Sequence, residues 1–186
     1  MFARQWIAEV ILIAPPRFAD ARGWFSESFN AKRYADGGVD TTFIQDNHSL
    51  SHDIGTIRGL HFQIPPFAQG KLVRCVRGAI FDVAIDLRIG SSTYGQFVSQ
   101  NLSAENGLQM WIPKGFAHGF ATLEPHTEVE YKVDAPYSRD HERGVLWTDP
   151  DLAIPWPTPP DQAHLSPKDK DLPFLSELPV FFRAEL

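Results

Sequence analysis

The chain has 186 residues with 17 Lys+Arg against 23 Asp+Glu, a formal net charge of −6. This length suits one domain whose core needs no staple, and the single cysteine, Cys75, excludes an internal disulfide. The acidic balance argues against extended nucleic acid and anionic membrane surfaces as partners, because both demand a cationic face.

Taken in chain order, Val10 to Ala14 is an apolar run of five residues, preceded by Glu9 and stopped by Pro15-Pro16. That is too short for a bilayer span or a signal h-region, and with a lone thiol it leaves a cytoplasmic address as the expectation. Trp24 to Phe29 reads as a strand and Ala31 to Ala35 as a short helix. Lys71 to Arg77 alternates with period two, and Gly78 offers a turn into a second alternating run. There Phe81, Val83, Ile85 and Leu87 interleave with Asp82, Ala84, Asp86 and Arg88 up to Gly90. The two runs read as a hairpin with Asp82 and Asp86 facing solvent. Phe97 to Leu102 is a further strand. Val129, Tyr131 and Val133 share one strand face, and Glu128, Glu130 and Lys132 share the other. Frequent turn residues between short strands, with little helix, indicate an all-β sandwich or barrel. From residue 150 onward Pro150, Pro155, Pro157, Pro159 and Pro160 forbid helix or central strand. Trp147, Trp156 and Phe174 give this stretch apolar mass, so it is expected to pack as an arm (150–186) on a barrel core of about residues 15–149.

Two spacings carry chemistry. Gly55, His61, Gln63, Lys71 and Gly78 form one series; Gly107, Pro113, Gly115, His118 and Thr122 form the other. They resemble the paired motifs of the cupin superfamily, whose fold is a double-stranded β-helix, a small jelly-roll barrel. In metal-binding cupins two His and a Glu of the first motif and a His of the second hold the ion. Here Gln63 replaces the second His and Lys71 takes the Glu place. An ammonium has no lone pair to donate and an amide oxygen is a poor transition-metal ligand, so neither a metal nor any other cofactor is expected.

A closer resemblance rests on several blocks that fall in order from about Pro15 to Lys170. They include Asp20-Ala-Arg-Gly-Trp-Phe-Ser-Glu27, Gln45-Asp-Asn47, Arg58-Gly-Leu-His-Phe-Gln63, Phe81 to Arg88, Ile112 to Phe120, Tyr131-Lys-Val, Glu142 to Trp147 and Ser166-Pro-Lys-Asp169. Together they are similar to the dTDP-4-dehydrorhamnose 3,5-epimerase family. The resemblance implies a nucleotide-linked 4-keto-6-deoxyhexose substrate, in which the ketone acidifies the hydrogens at C3 and C5. It puts His61 in the role of base, and an imidazole with an ordinary pKa near 6.5 suits that work. Lys71 then stabilises charge on the C4 oxygen, as an oxyanion hole does. Tyr131 fits as the proton donor. Asp169 is the candidate for orienting the imidazole, with Asp82 and Asp86 as alternatives.

For the rest of the ligand, Arg22 and Arg58 suit the diphosphate, because guanidinium forks match phosphate oxygens. The family pattern adds Glu27, Gln45, Asp46, Asn47, His118, Glu142 and Lys168. It also implies a homodimer built by strand exchange, in which Arg22 and Glu27 reach the neighbouring subunit's site. Tyr137 is a candidate for stacking on thymine. A relative that inverts only one carbon, and a non-catalytic sugar-nucleotide-binding cupin, are the competing readings. The remaining histidines, His48, His52, His126, His141 and His164, read as structural or solvated, and Cys75 as a buried small hydrophobe. Residues 51–90 hold five basic and three acidic side chains, a local +2 within the acidic total.

Overall fold

A computed structural model describes residues 1–184. The elements run β1 (Phe2–Arg4), β2 (Ile11–Ile13), β3 (Arg17–Asp20), β4 (Gly23–Ser26), α1 (Ala31–Asp36), β5 (Gln45–Ser51), β6 (Ile57–Gln63), β7 (Lys71–Arg77) and β8 (Ala79–Asp86). They continue with β9 (Arg88–Ile89), β10 (Phe97–Ser103), β11 (Gln109–Ile112), β12 (Phe116–Thr122), β13 (Thr127–Val133), β14 (Glu142–Gly144), α2 (Pro167–Lys170) and β15 (Phe182–Arg183). A six-stranded sheet in the order β1-β2-β11-β7-β13-β5 faces a five-stranded sheet in the order β10-β8-β12-β6-β14. The fold is the all-β, cupin-type class expected from the sequence. Two strands ahead of residue 15, β1 and β2, belong to the larger sheet.

The expected hairpin between β7 and β8 does not form. Strand β7 pairs with β11 and β13, whereas β8 pairs with β10 and β12. Gly78, at φ +75°, turns the chain from one sheet to the other, a conformation that side-chain-bearing residues avoid. The solvent-facing reading of Asp82 and Asp86 is also overturned, since both are fully buried. Two apolar clusters explain why. Ile80 and Ala84 join Val73, Cys75, Phe120 and Val129 between the sheets, so the even-numbered residues of β8 point inward. Phe81, Val83, Ile85 and Leu87 instead lie beneath Leu152, Ile154, Trp156 and Leu175 of the C-terminal segment. The strand alternates as predicted, but the arm covers its outer face, so both faces are buried. Asp86 is satisfied there by Arg88, Ser91 and Thr93.

On β13 the alternation has its expected meaning. Val129 and Val133 are buried and Tyr131 packs on the inner cluster. Glu130 pairs outside with Arg74, and Lys132 with Asp46. Cys75 is buried, and burial pushes its thiol up to about 11, so it is an inert apolar side chain.

Candidate active site

The inward faces of four strands converge on one end of the barrel. His61 lies on β6 and is register-paired with His118 on β12. Lys71 opens β7 and Tyr131 sits on β13 in the facing sheet. Between the sheets a cavity of ≈ 240 Å³ is lined by His61, Lys71, Tyr131, Gln45, Asn47, Tyr137 and Glu142, with Phe62, Gln63 and Gln69 completing its wall. His61 and Tyr131 therefore approach the same space from opposite sheets.

The imidazole of His61 meets the Asp169 carboxylate at 2.6 Å (Nε2 to Oδ1). Local sequence explains this reach. Ser166 caps α2 by accepting from the Asp169 amide, and Pro167 pre-sets the first helical turn, which fixes the Asp169 side chain against β6. Burial alone would raise the Asp169 carboxyl, but the hydrogen bond and charge attraction from His61, with smaller help from Ser166 and Lys168, together hold the group below the usual carboxylate range. Of the three carboxylates weighed for orienting His61, Asp169 is the one in contact. Asp82 instead binds His118, at 2.7 Å from Nε2.

Lys71 is buried, donates to the His61 carbonyl at 3.3 Å, and has its ammonium pushed down to about 8 by burial, against the opposing pull of Asp82 and Glu142. Burial also lowers His118, with the Asp82 carboxylate acting the other way. Tyr131 is raised by burial, so the phenol keeps its proton at neutral pH. Burial would raise Glu142, yet bonds from Lys168 (2.5 Å) and Tyr137 (3.0 Å) hold it below its ordinary range.

Not every residue proposed from the sequence arrives here. Arg22 lies on the β3–β4 hairpin with its side chain 90% exposed, paired only with Asp20. Glu27 binds Arg33 at 3.1 Å. Asp46 alternates to the outer face and pairs with Lys132. Arg58 bonds Ser51 and the Leu50 carbonyl. A larger cleft of ≈ 450 Å³ lies against the outer face, where Arg74 pairs with Glu130, Lys132 with Asp46, and the half-exposed His48 with Glu128 at 3.0 Å, so its charged side chains are already ion-paired. Sequence reasoning missed the inward turn of Asp82 and the structural use of Gln63. A signal for Asp82 was available, since a strand beside an aromatic-rich arm can be covered on both faces.

What this arrangement can do chemically is acid–base work on an organic ligand: a carboxylate-oriented base, a buried cation and a protonated phenol surround one cavity. Among the described residues no three His, Cys, Asp or Glu side chains cluster to hold a metal, and no helix is long and apolar enough to cross a membrane.

Residues 4–177 match the family described as dTDP-4-dehydrorhamnose 3,5-epimerase. A protein of that name from Sinorhizobium fredii is 58% identical over 177 residues, covering 95% of this chain and 90% of its own. A dTDP-4-dehydrorhamnose 3-epimerase from Streptomyces niveus is 39% identical, covering 89% and 79%. Among solved structures, a dTDP-6-deoxy-D-glucose-3,5-epimerase from Legionella pneumophila in complex with dTDP-4-keto-L-rhamnose superimposes with a TM-score of 0.95 at 43% identity, covering 100% of this chain and 99% of that one. Sequence, fold and site agree, and the chain belongs to the dTDP-4-dehydrorhamnose 3,5-epimerase family.

Proposed function

We propose that this enzyme, an isomerase, inverts C3 and C5 of dTDP-4-dehydro-6-deoxy-D-xylo-hexose to the L-lyxo product on the route to dTDP-L-rhamnose. The observation that carries the reading is the His61–Asp169 pair and Tyr131 entering one cavity from opposite sheets, with the Lys71 ammonium beside them. Inversion needs a base on one face of the sugar and an acid on the other. His61 takes the proton from carbon, and the electron pair moves into the C4 carbonyl, whose oxygen becomes an enolate balanced by Lys71. Tyr131 then returns a proton to the opposite face, and solvent reprotonates the phenolate while His61 releases its proton. The same sequence serves the second carbon. Asp169 fixes the imidazole and stabilises its cation.

Around this centre Gln45, Asn47, His118, Glu142 and Lys168 hold the sugar and diphosphate, Arg58 meets the diphosphate from its place beside Ser51 outside the cavity lining, and Tyr137 stacks on thymine. In this reading the base, the acid and the balancing cation are all side chains of this chain, so the reaction needs no cofactor, and an ammonium stands where a metal cupin has its carboxylate ligand. The described residues act as a single domain with its arm from residue 150 onward, the last two positions of the expected arm, 185 and 186, lying outside the described residues, and the cytoplasm is the compartment assigned to it. The β3–β4 hairpin pairs with no other strand of the described residues, and Phe18, Trp24 and Phe25 are 61%, 59% and 69% exposed. That face suits a second copy of the chain, in a homodimer that delivers Arg22 and Glu27 to the partner's cavity. A single-carbon epimerase is the alternative, favoured by the 39% identity to the Streptomyces niveus 3-epimerase.

Proton NMR of the reaction in deuterated water separates the two. Both C3 and C5 are expected to exchange and both exchanges to vanish in His61→Ala, which retains dTDP binding. Exchange at C3 with C5 untouched would sink the double inversion.

A further inference from the structure

One buried polar side chain in the cavity wall has no part in proton transfer. Gln63 is 4% exposed, and its amide is fully engaged. Its Nε2 donates to the Phe67 carbonyl at 2.7 Å and to the Pro136 carbonyl at 3.1 Å, while its Oε1 accepts from the Ser138 amide at 2.6 Å. The three bonds tie two loops to one strand: the turn after β6, and the stretch between β13 and β14. The second stretch is bonded on either side of Tyr137, at Pro136 and at Ser138. The Tyr137 side chain is 56% exposed at the cavity rim, its hydroxyl donating to Glu142. Two other glutamines hold the same stretch: Gln69, itself in the turn after β6, donates to the Ala135 carbonyl and so also joins the two loops, and Gln45 of β5 accepts from the Tyr137 amide. Of the three, Gln63 is the one that bonds both residues flanking Tyr137.

We infer that Gln63 is a positioning residue for nucleotide recognition: its amide bridges the two loops and fixes the exposed Tyr137 ring at the cavity mouth in a conformation ready for a planar base. This rests on the reading of Tyr137 as the thymine platform. An exposed aromatic on an untethered loop samples several positions, and binding must then select one of them; a loop bonded at both flanks avoids that cost. A buried amide is suited to the task because it donates twice and accepts once without introducing charge. Removing it leaves two carbonyls and one amide without partners and loosens both flanks of Tyr137, while the bonds from Gln69 to Ala135 and from the Ile64 amide to the His141 carbonyl still hold the two loops together.

The test is a double-mutant cycle read by titration calorimetry with dTDP and by steady-state kinetics. Gln63→Met keeps the side-chain volume and removes all three bonds. Gln63→Glu keeps the acceptor for Ser138 and sets a carboxylate oxygen against the Phe67 and Pro136 carbonyls. Each is expected to weaken dTDP binding about tenfold and to raise KM more than it lowers kcat, the pattern of lost uniform binding. In a Tyr137→Ala background the further loss from Gln63→Met is expected to fall below about twofold, since coupled residues are not additive. Full additivity, or a fall in kcat as large as the rise in KM, overturns the inference. Tyr137→Ala alone reports on the platform: unchanged dTDP affinity in that variant removes the platform and the inference together, whereas weakened affinity with an unaffected Gln63→Met removes the inference only.

Discussion

Wild-type stability and activity are expected to run in opposite directions with pH around Lys71, and replacing Lys71 with methionine is expected to remove both dependences. The Lys71 ammonium is pushed down to about 8 by burial, against about 10.4 for an exposed lysine, a difference equivalent to about 3 kcal/mol. The sign follows from proton binding. Between pH 8 and about 10.4 the unfolded chain holds the lysine proton and the folded chain does not, so wild-type stability rises with pH across that window. Below it the ammonium is charged in both states and its burial costs the folded state the full amount. Methionine has a similar shape and does not titrate. Relative to wild type, the variant should therefore lose about 3 kcal/mol of stability between pH 7.5 and 10.5, roughly 6–12 °C in Tm for a chain of this size. The loss of the Lys71–Asp82 attraction also shifts the absolute values, so the pH-dependent difference is the quantity to read. Activity should run the other way: wild-type kcat declines about tenfold per pH unit above pH 8, as the neutral amine no longer balances the enolate, and the variant is inactive throughout. Thermal unfolding and deuterium exchange at three pH values measure both. Parallel unfolding curves would refute a buried charged lysine, and a kcat that stays level through pH 9.5 would remove the ammonium from the mechanism.

Asp169→Asn keeps the shape of the carboxylate but not its charge, so kcat should fall about 10²–10⁴-fold with dTDP affinity retained; intact turnover removes Asp169 from the base. Because the Asp169 pKa is lowered in the fold, the stability it supplies is present above the unfolded carboxylate range and disappears as pH falls through the folded value, a decline the Asn variant should lack. Co-expressing inactive His61→Ala and Arg22→Ala chains tests the shared site: a two-fold dimer with Arg22 acting across the interface restores about a quarter of the sites, and no recovery means that Arg22 acts within its own chain. Gly119→Ala would place a methyl 2.8 Å from the Arg58 carbonyl and 2.9 Å from Leu60 Cδ2. The cost, about 1–3 kcal/mol from overpacking, should lower the urea midpoint without changing the slope; an unchanged midpoint would show that β6 and β12 separate freely.

Local rules were reliable wherever one face of a strand meets solvent. On β13 the polar residues pair outside and Tyr131 goes in, as its alternation dictates. They failed on β8, where the pattern is equally clean, because period two says only that two faces differ and not which one is inside. The apolar face of β8 met the arm, and the polar face went into the barrel carrying Asp82. The hairpin failed for a related reason: Gly78 marks a sharp turn in the sequence, but nothing local says whether the chain returns to the same sheet or crosses to the other. Asp169 was legible only through its motif, since its separation of 108 positions from His61 places the contact beyond any local rule. Gln63 was legible as a departure from a metal-ligand pattern, but not as a clamp, because its three partners lie on loops whose approach depends on the finished fold.

The buried charges show why the arm matters to the chemistry and not only to packing. Lys71, Asp82, His118 and Asp169 all lie at or inside the barrel end, and such groups keep useful protonation states only where water is excluded and partners are fixed. The five-stranded sheet is sealed on its outer face by Leu152, Trp156 and Leu175, which keeps solvent from reaching β8 and β6 from behind. The same segment returns through α2 to place Asp169 on His61. Because one stretch of chain both dries the sheet behind the base and supplies the carboxylate that orients it, a substitution that loosens the arm, such as Leu175→Ala, should lower kcat along with stability even though Leu175 does not line the cavity.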